Sequence, residues 1–249
     1  MNELKNKIAI VTGAGSGIGE AIAITFAREG ASVVISDVDM DGANRVLNLV
    51  KNEGGVGVAL KCDVSSQSAC EKLVQGTLKE FGRLDIAVNN AGIGGPAALT
   101  GEYPIDGWEK VIGINLNGVF YGMRHQIPAM LQTGGGSIIN ITSILGSVGF
   151  ATACAYVSAK HGVNGLTKVA AMEYAQQGIR VNAVGPGFIR TPLLDQMPPE
   201  QLEAIAALHP IGRLGTSQEV ADLVLWLATE KSSFVTGGYY PVDGGYLAQ

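Results

Sequence analysis

Residues 7–19 read KIAIVTGAGSGIG, and this stretch decides the fold. Its first five residues, KIAIV, form a short β-branched apolar run, the kind that fills a parallel strand buried on both faces. Thr12-Gly13-Ala14-Gly15-Ser16-Gly17-Ile18-Gly19 follows at once. From there Ile18, Ala21, Ile22, Thr25 and Phe26 fall on one side of a helix. The glycines therefore lie between a strand and a helix. In that frame Gly13 permits a tight turn, Gly17 lets the backbone approach a pyrophosphate, and Gly19 lets the helix pack closely. The helix N-terminus adds free N–H groups and a partial positive charge. The stretch predicts a dinucleotide site.

The same alternation continues outward. Strands are expected at 32–36, 56–61, 85–88, 137–142, 179–184 and 239–242. Helices are expected at about 41–53, from Ser66 to about Phe81, over 106–131, through Tyr156 to about Gln176, and over 217–229. Each unit fits a βαβ repeat, and no domain break interrupts the series. Residues 1–249 therefore read as one α/β domain with right-handed connections.

The bulk numbers exclude several classes. At 47% hydrophobic and 16% charged, the 249-residue chain is not a disordered protein. A net charge of −5 argues against nucleic acid or an anionic membrane as main partner. Cys62, Cys70 and Cys154 have no C-x-x-C spacing, and His125, His161 and His209 have no ligand spacing. No metal is expected. The start, MNELKNKIAIVTG, has no apolar run before a cleavage site, so the expected location is cytoplasmic. Residues 126–159 lack Asp, Glu, Lys, Arg and His, but Pro128 and Gly134-Gly135-Gly136 interrupt any membrane span. The segment reads as deeply buried strand, loop and helix. Low dielectric there strengthens the one charge nearby, Lys160.

That segment also carries the candidate chemistry. Residues 143–160 read SILGSVGFATACAYVSAK. Tyr156 and Lys160 are four apart and share a helix face. An ammonium beside a phenol favours the phenolate and lowers its pKa toward a working range. Ser143 is placed to hydrogen-bond an oxygen whose charge changes. Asp37 ends the second strand, 18 residues past Gly19, where an acidic residue meets adenosine ribose hydroxyls. Its carboxylate repels a 2′-phosphate, and neither position 16 nor 38 is basic. NAD is expected over NADP.

Thr12-Gly13-x-x-x-Gly17-x-Gly19, Asn89-Asn90-Ala91-Gly92, Asn115, Ser143, Tyr156-x-x-x-Lys160 and Pro186-Gly187 occur in this order. Together they make the chain resemble the short-chain dehydrogenase/reductase family over essentially its whole length. The resemblance implies a Rossmann-like, doubly wound, seven-stranded parallel sheet with helices on both faces. It implies a cofactor across the C-terminal strand ends, and a homotetramer. Tyr156 is the implied acid/base. Lys160 is implied to lower its pKa and bind the nicotinamide ribose, Ser143 to polarise the carbonyl oxygen, and Asn115 to anchor a water relayed to Lys160. Implied cofactor contacts, besides Tyr156 and Lys160, are Gly13, Ser16, Gly17, Ile18, Gly19, Asp37, Asp63, Val64, Asn89, Ala91, Gly92, Pro186, Gly187, Ile189 and Thr191.

The activity so implied is hydride transfer between NAD(H) and a small-molecule secondary alcohol or ketone. Expected pocket walls are Gly94, Leu145, Phe150 and Phe188, with Leu193, Met197 and Leu202 from an amphipathic lid at about 190–212. These walls are apolar and favour a hydrophobic substrate. Three other readings stand beside this one. A 3-oxoacyl-(acyl-carrier-protein) reductase is opposed by Ser16 and Met172, where that group often carries bases. A sugar or polyol dehydrogenase is opposed by the apolar walls. A non-catalytic NAD-binding sensor is expected to lack a catalytic residue, and all four are present.

Overall fold

Strand β1 (Ile8–Thr12) is buried along its whole length, as an apolar β-branched run requires in a sheet covered on both faces. The fold is given by a computed structural model, which describes residues 2–191, 194 and 198–249. After β1 come β2 (Ser32–Asp37), β3 (Val56–Lys61), β4 (Ile86–Asn89), β5 (Gly136–Ile141) and β6 (Ile179–Pro186). Two-residue strands β7 (Ile189–Arg190) and β8 (Gly215–Thr216) pair with each other, and β9 (Tyr239–Val242) ends the series. The main sheet has seven strands in the order β3-β2-β1-β4-β5-β6-β9. Every pairing in it is parallel. This is a single Rossmann-like, doubly wound domain.

Alternation along each strand feeds two core layers. Ala9 and Val11 pack with Ile22 and Phe26 of α1 (Gly17–Arg28), Val46 of α2 (Met40–Asn52) and Val224 of α8 (Ser217–Ala228). Ile10 points the other way. It joins Leu73 of α3 (Gln67–Phe81), Ile127 of α5 (Gly118–Leu131) and Ala171 of α6 (Cys154–Tyr174). Asp39 and Ser66 cap α2 and α3, accepting from Asp41 N–H and Ala69 N–H.

The chain crosses to the opposite side of β1 when it enters β4, so a crevice opens outside the C-terminal ends of these strands. The single helix expected over 106–131 is instead α4 (Ile105–Ile112) and α5, joined by a π turn, Gly113–Asn117. Asn115 accounts for the break. It is fully buried. Its side chain accepts from Ile93 N–H at 2.9 Å and donates to Ile93 C=O at 2.8 Å. Inserting the extra residue turns a buried amide toward the loop that needs it. Beyond β7, α7 (Pro199–Ala207) starts on proline at a position that needs no N–H. Among the described residues, no helix is long and apolar enough to cross a membrane.

Candidate active site

Two adjoining cavities follow the C-terminal edge of the sheet. One, of about 370 Å³, is lined by Gly13, Ser16, Gly17, Ile18, Asp37, Asp63, Val64, Ala91, Gly92 and Thr191, among others. The second, of about 360 Å³, is lined by Ser143, Tyr156, Lys160, Pro186, Gly187 and Ile189, together with apolar side chains. Ile18, Asn90, Gly92, Ile93 and Thr191 line both, so the two form one trough.

The glycine turn is built for close approach. Gly13 has φ +61°, and a Cβ there would lie 2.8 Å from Ala91 Cα. A Cβ on Gly19 would lie 2.2 Å from the Gly13 carbonyl oxygen. Side chains at either position are therefore excluded, and the start of α1 sits directly on the turn. Gly19 itself is buried and is not among the residues lining the trough.

Asp37 closes the far end. Its carboxylate accepts from Gly15 N–H at 2.8 Å and Asp39 N–H at 3.0 Å. No Lys or Arg lines this cavity among the described residues. Arg45, nearby, is committed to Glu20 and to the Gly15 carbonyl. Asp63 turns back onto Ser65, accepting from its N–H and hydroxyl. A bare glycine turn at a helix start with a carboxylate at the far end fits a dinucleotide.

Asn89 is a correction. It does not face the trough. It is buried, donating to Asn140 at 2.9 Å and exchanging hydrogen bonds with Gln126. Parity explains this: Asn89 shares a strand face with Ala87, which packs under α5. Asn90 lines the trough instead, and its amide donates to the Thr12 and Gly13 carbonyls.

The reactive cluster lies at the floor of the second cavity. Ser143 follows β5 and starts a short helical turn, Ile144–Gly146, where its hydroxyl accepts from Leu145 N–H at 3.2 Å. Tyr156 and Lys160 lie on α6, with the ammonium 5.5 Å from the Tyr156 ring centroid. Tyr156 and Ser143 line the same cavity. Lys160 is buried and donates to Ile141 C=O at 2.9 Å. A Cβ on Gly92 would lie 3.3 Å from Asn115 Oδ1 and 3.7 Å from Lys160 Nζ, which brings all four candidate catalytic residues to one locus.

Burial acts on both titrating groups. It pushes the Tyr156 phenol above its ordinary range, and the neighbouring Ser143 hydroxyl offsets part of that rise. It lowers the Lys160 ammonium to about 8. Desolvation is thus the largest influence on the phenol, and Ser143 supplies the lowering.

The substrate end is apolar. Gly94, Leu145, Phe150 and Phe188 line it, together with Ile93, Ala153 and Leu194. Leu202 does not. It lines a separate groove with Arg190, Glu203 and Arg213, because α7 turns that face away from Tyr156. Leu193 and Met197 lie outside the described residues. A polar cavity of about 350 Å³ at the opposite edge of the sheet holds Lys7, Arg83, Asp85 and Arg180, and none of the expected site residues.

The chain is similar in sequence and fold to known proteins. The family model described as "Enoyl-(Acyl carrier protein) reductase" matches residues 13–247. A cyclohexanol dehydrogenase of Acinetobacter sp. (strain SE19) is 46% identical over 248 residues, covering 100% of this chain and 98% of that protein. The crystal structure of levodione reductase superposes with a TM-score of 0.95 at 34% identity, covering 98% of this chain and 99% of that one. A structure described as a 2-deoxy-d-gluconate 3-dehydrogenase from Agrobacterium tumefaciens, with bound NADP, gives a TM-score of 0.91 at 33% identity. It covers 100% of this chain and 99% of that one.

Proposed function

Because this chain belongs to the short-chain dehydrogenase/reductase family of oxidoreductases, we propose that it moves a hydride between NAD(H) and a hydrophobic alicyclic secondary alcohol or its ketone. The carrying observation is the pair of hydroxyls, Ser143 and Tyr156, lining one largely apolar cavity together with buried Lys160. Two O–H groups on one cavity wall suit a single oxygen whose charge changes during reaction.

The residues divide the work. The nicotinamide cofactor supplies the hydride donor or acceptor. The glycine turn, Asp63, Val64, Ala91 and Gly92 hold its adenosine and phosphates, while Pro186, Gly187, Ile189 and Thr191 flank the nicotinamide end. In oxidation, Tyr156 Oη takes the alcohol proton. In reduction it returns that proton to the carbonyl oxygen. Ser143 donates to the same oxygen. Lys160 holds positive charge beside the phenol and binds the ribose. Asn115 fixes the loop beside Lys160 and anchors the water that relays protons to it.

NAD is the proposed cofactor because Asp37 lines the adenosine cavity and, among the described residues, no Lys or Arg does. The NADP-bound relative makes this a point to measure. The substrate reading rests on a cavity whose only charged lining side chain, among the described residues, is Lys160. It also rests on the activity named for the cyclohexanol dehydrogenase relative. We read residues 190–212 as the lid of a single domain spanning 1–249. We read the protein as a cytoplasmic homotetramer, and the exposed apolar side chains of Phe120, Val169, Met172 and Phe234 suit burial between copies.

Tyr156→Phe tests the reading. We expect turnover of cyclohexanone with NADH to fall on the order of 10²- to 10⁴-fold, with NADH binding retained. NADH oxidation near the wild-type rate sinks the assignment.

A further inference from the structure

Behind the substrate wall, three rings meet. Phe188 lines the catalytic cavity, where its ring stands edge-on to Phe150 at 6.2 Å between centroids. On its other side His209 lies 5.7 Å away with its plane 88° from that of Phe188. Tyr246 lies 6.2 Å from Phe188 and 5.6 Å from His209. Each ring therefore packs against the other two. Neither His209 nor Tyr246 lines the catalytic cavity.

His209 is fixed from both ends. It is buried. Its Nε2 accepts from Phe188 N–H at 3.2 Å, and its Nδ1 donates to Ile205 C=O at 3.0 Å. These partners require the neutral ring with its proton on Nδ1. Space for the ring comes from Gly187, where a Cβ would lie 2.8 Å from Nε2.

Tyr246 is held by the chain end. The Asp243 carboxylate accepts from Gly245 N–H and Leu247 N–H. Ile211 N–H donates to Gly244 C=O, and the Gln249 amide donates to Leu208 C=O. The turn after α7 and the end of the chain are thus tied together, and both press on Phe188.

We infer that Tyr246 and His209 are positioning residues that fix the Phe188 ring and thereby set which ketones the cavity admits, favouring a single six-membered ring over one with a second bulky ring. A ring supported only from the cavity side turns aside for a larger ligand. One braced by two further rings does not. The inference rests on the proposed alcohol/ketone reading of the Tyr156 site.

The test compares cyclohexanone with 4-phenylcyclohexanone, using NADH. Tyr246→Ala is expected to raise KM for cyclohexanone at least fivefold with kcat within twofold. It is expected to raise kcat/KM for 4-phenylcyclohexanone at least fivefold. Tyr246→Phe, which keeps the ring, is expected to retain the wild-type ratio of the two kcat/KM values. His209→Gln keeps an acceptor for Phe188 N–H without a ring and should shift the ratio as Tyr246→Ala does. A ratio within twofold of wild type in a folded Tyr246→Ala overturns the inference, as does a Tyr246→Phe that behaves like Tyr246→Ala. If Tyr246→Ala does not fold, Tyr246→Leu is judged by the same criterion. A wild type that reduces neither ketone overturns the underlying reading as well, and is seen before any variant is made.

Discussion

The Tyr239 hydroxyl donates to the Ser143 carbonyl at 3.0 Å, tying the last strand of the sheet to the residue that starts the active-site turn. The tie depends on Gly185, where a Cβ would lie 2.2 Å from that hydroxyl. Tyr239→Phe removes the donor and leaves the ring. A net hydrogen bond of about 1 kcal/mol corresponds to roughly a fivefold fall in kcat. NADH affinity, read by fluorescence titration, should not change. Gly185→Ala should cost more, because it displaces the whole side chain. An unchanged kcat in Tyr239→Phe would show that Ser143 holds its place unaided.

Lys160 costs the protein stability for the sake of its site. Its folded pKa, about 8, lies below the ordinary 10.5 because of burial. The unfolded chain therefore binds the proton more tightly. The penalty is fully present below pH 8 and is relieved as pH rises from about 8 toward 10.5. The gap corresponds to about 3 kcal/mol at neutral pH. Lys160→Met should raise the melting temperature at pH 7 by a few degrees while abolishing turnover. That gain should shrink by pH 10. A lower melting temperature at pH 7 would mean that the bond to Ile141 C=O outweighs desolvation.

Ketone reduction needs a proton on Tyr156 Oη and a charged Lys160. Tyr156 is pushed above its ordinary range, so Lys160 is the first of the two to titrate. We expect kcat/KM for reduction to stay level below pH 8 and to fall above about 8, with a slope approaching minus one. A profile level to pH 10 would contradict this order.

Asp37 should govern the choice of cofactor. Asp37→Ser removes the charge that opposes a 2′-phosphate and keeps a hydroxyl near Gly15 N–H. The NADPH-to-NADH ratio of kcat/KM should rise about tenfold or more, roughly 1.4 kcal/mol. Loss of activity with both cofactors and no change in ratio would assign Asp37 to holding the glycine turn alone.

Features written in short spans were legible in the sequence. The strand–glycine–helix frame at 7–19 and the spacing of Ser143, Tyr156 and Lys160 needed only local geometry. Asn89 was misread although the signal was present, since it has the same parity as Ala87, and a strand buried on both faces hides that side under α5. Asn115 was visible as a buried polar residue, but the π turn it forces depends on the backbone of Ile93, 22 residues earlier. Tyr239, His209 and Tyr246 left no local signal. Their partners are Ser143 and Phe188, brought together only by the completed sheet. The glycines at 185 and 187 were the visible half of those contacts: each leaves space that a distant ring fills.

The π turn at Gly113–Asn117 carries one residue more than the α-helix on either side. Each α-helical residue advances the azimuth by about 100°, so the surplus residue sets the phase of everything after it. With it in place, α5 turns Met123 and Ile127 inward and leaves Phe120 and Arg124 outside. Deleting any one residue between 113 and 117 would rotate α5 by about that angle against the sheet. Its core-facing and water-facing sides would then be exchanged in part. A deletion at this point therefore does more harm than a substitution at any of the five positions, because it acts on every residue downstream to Leu131.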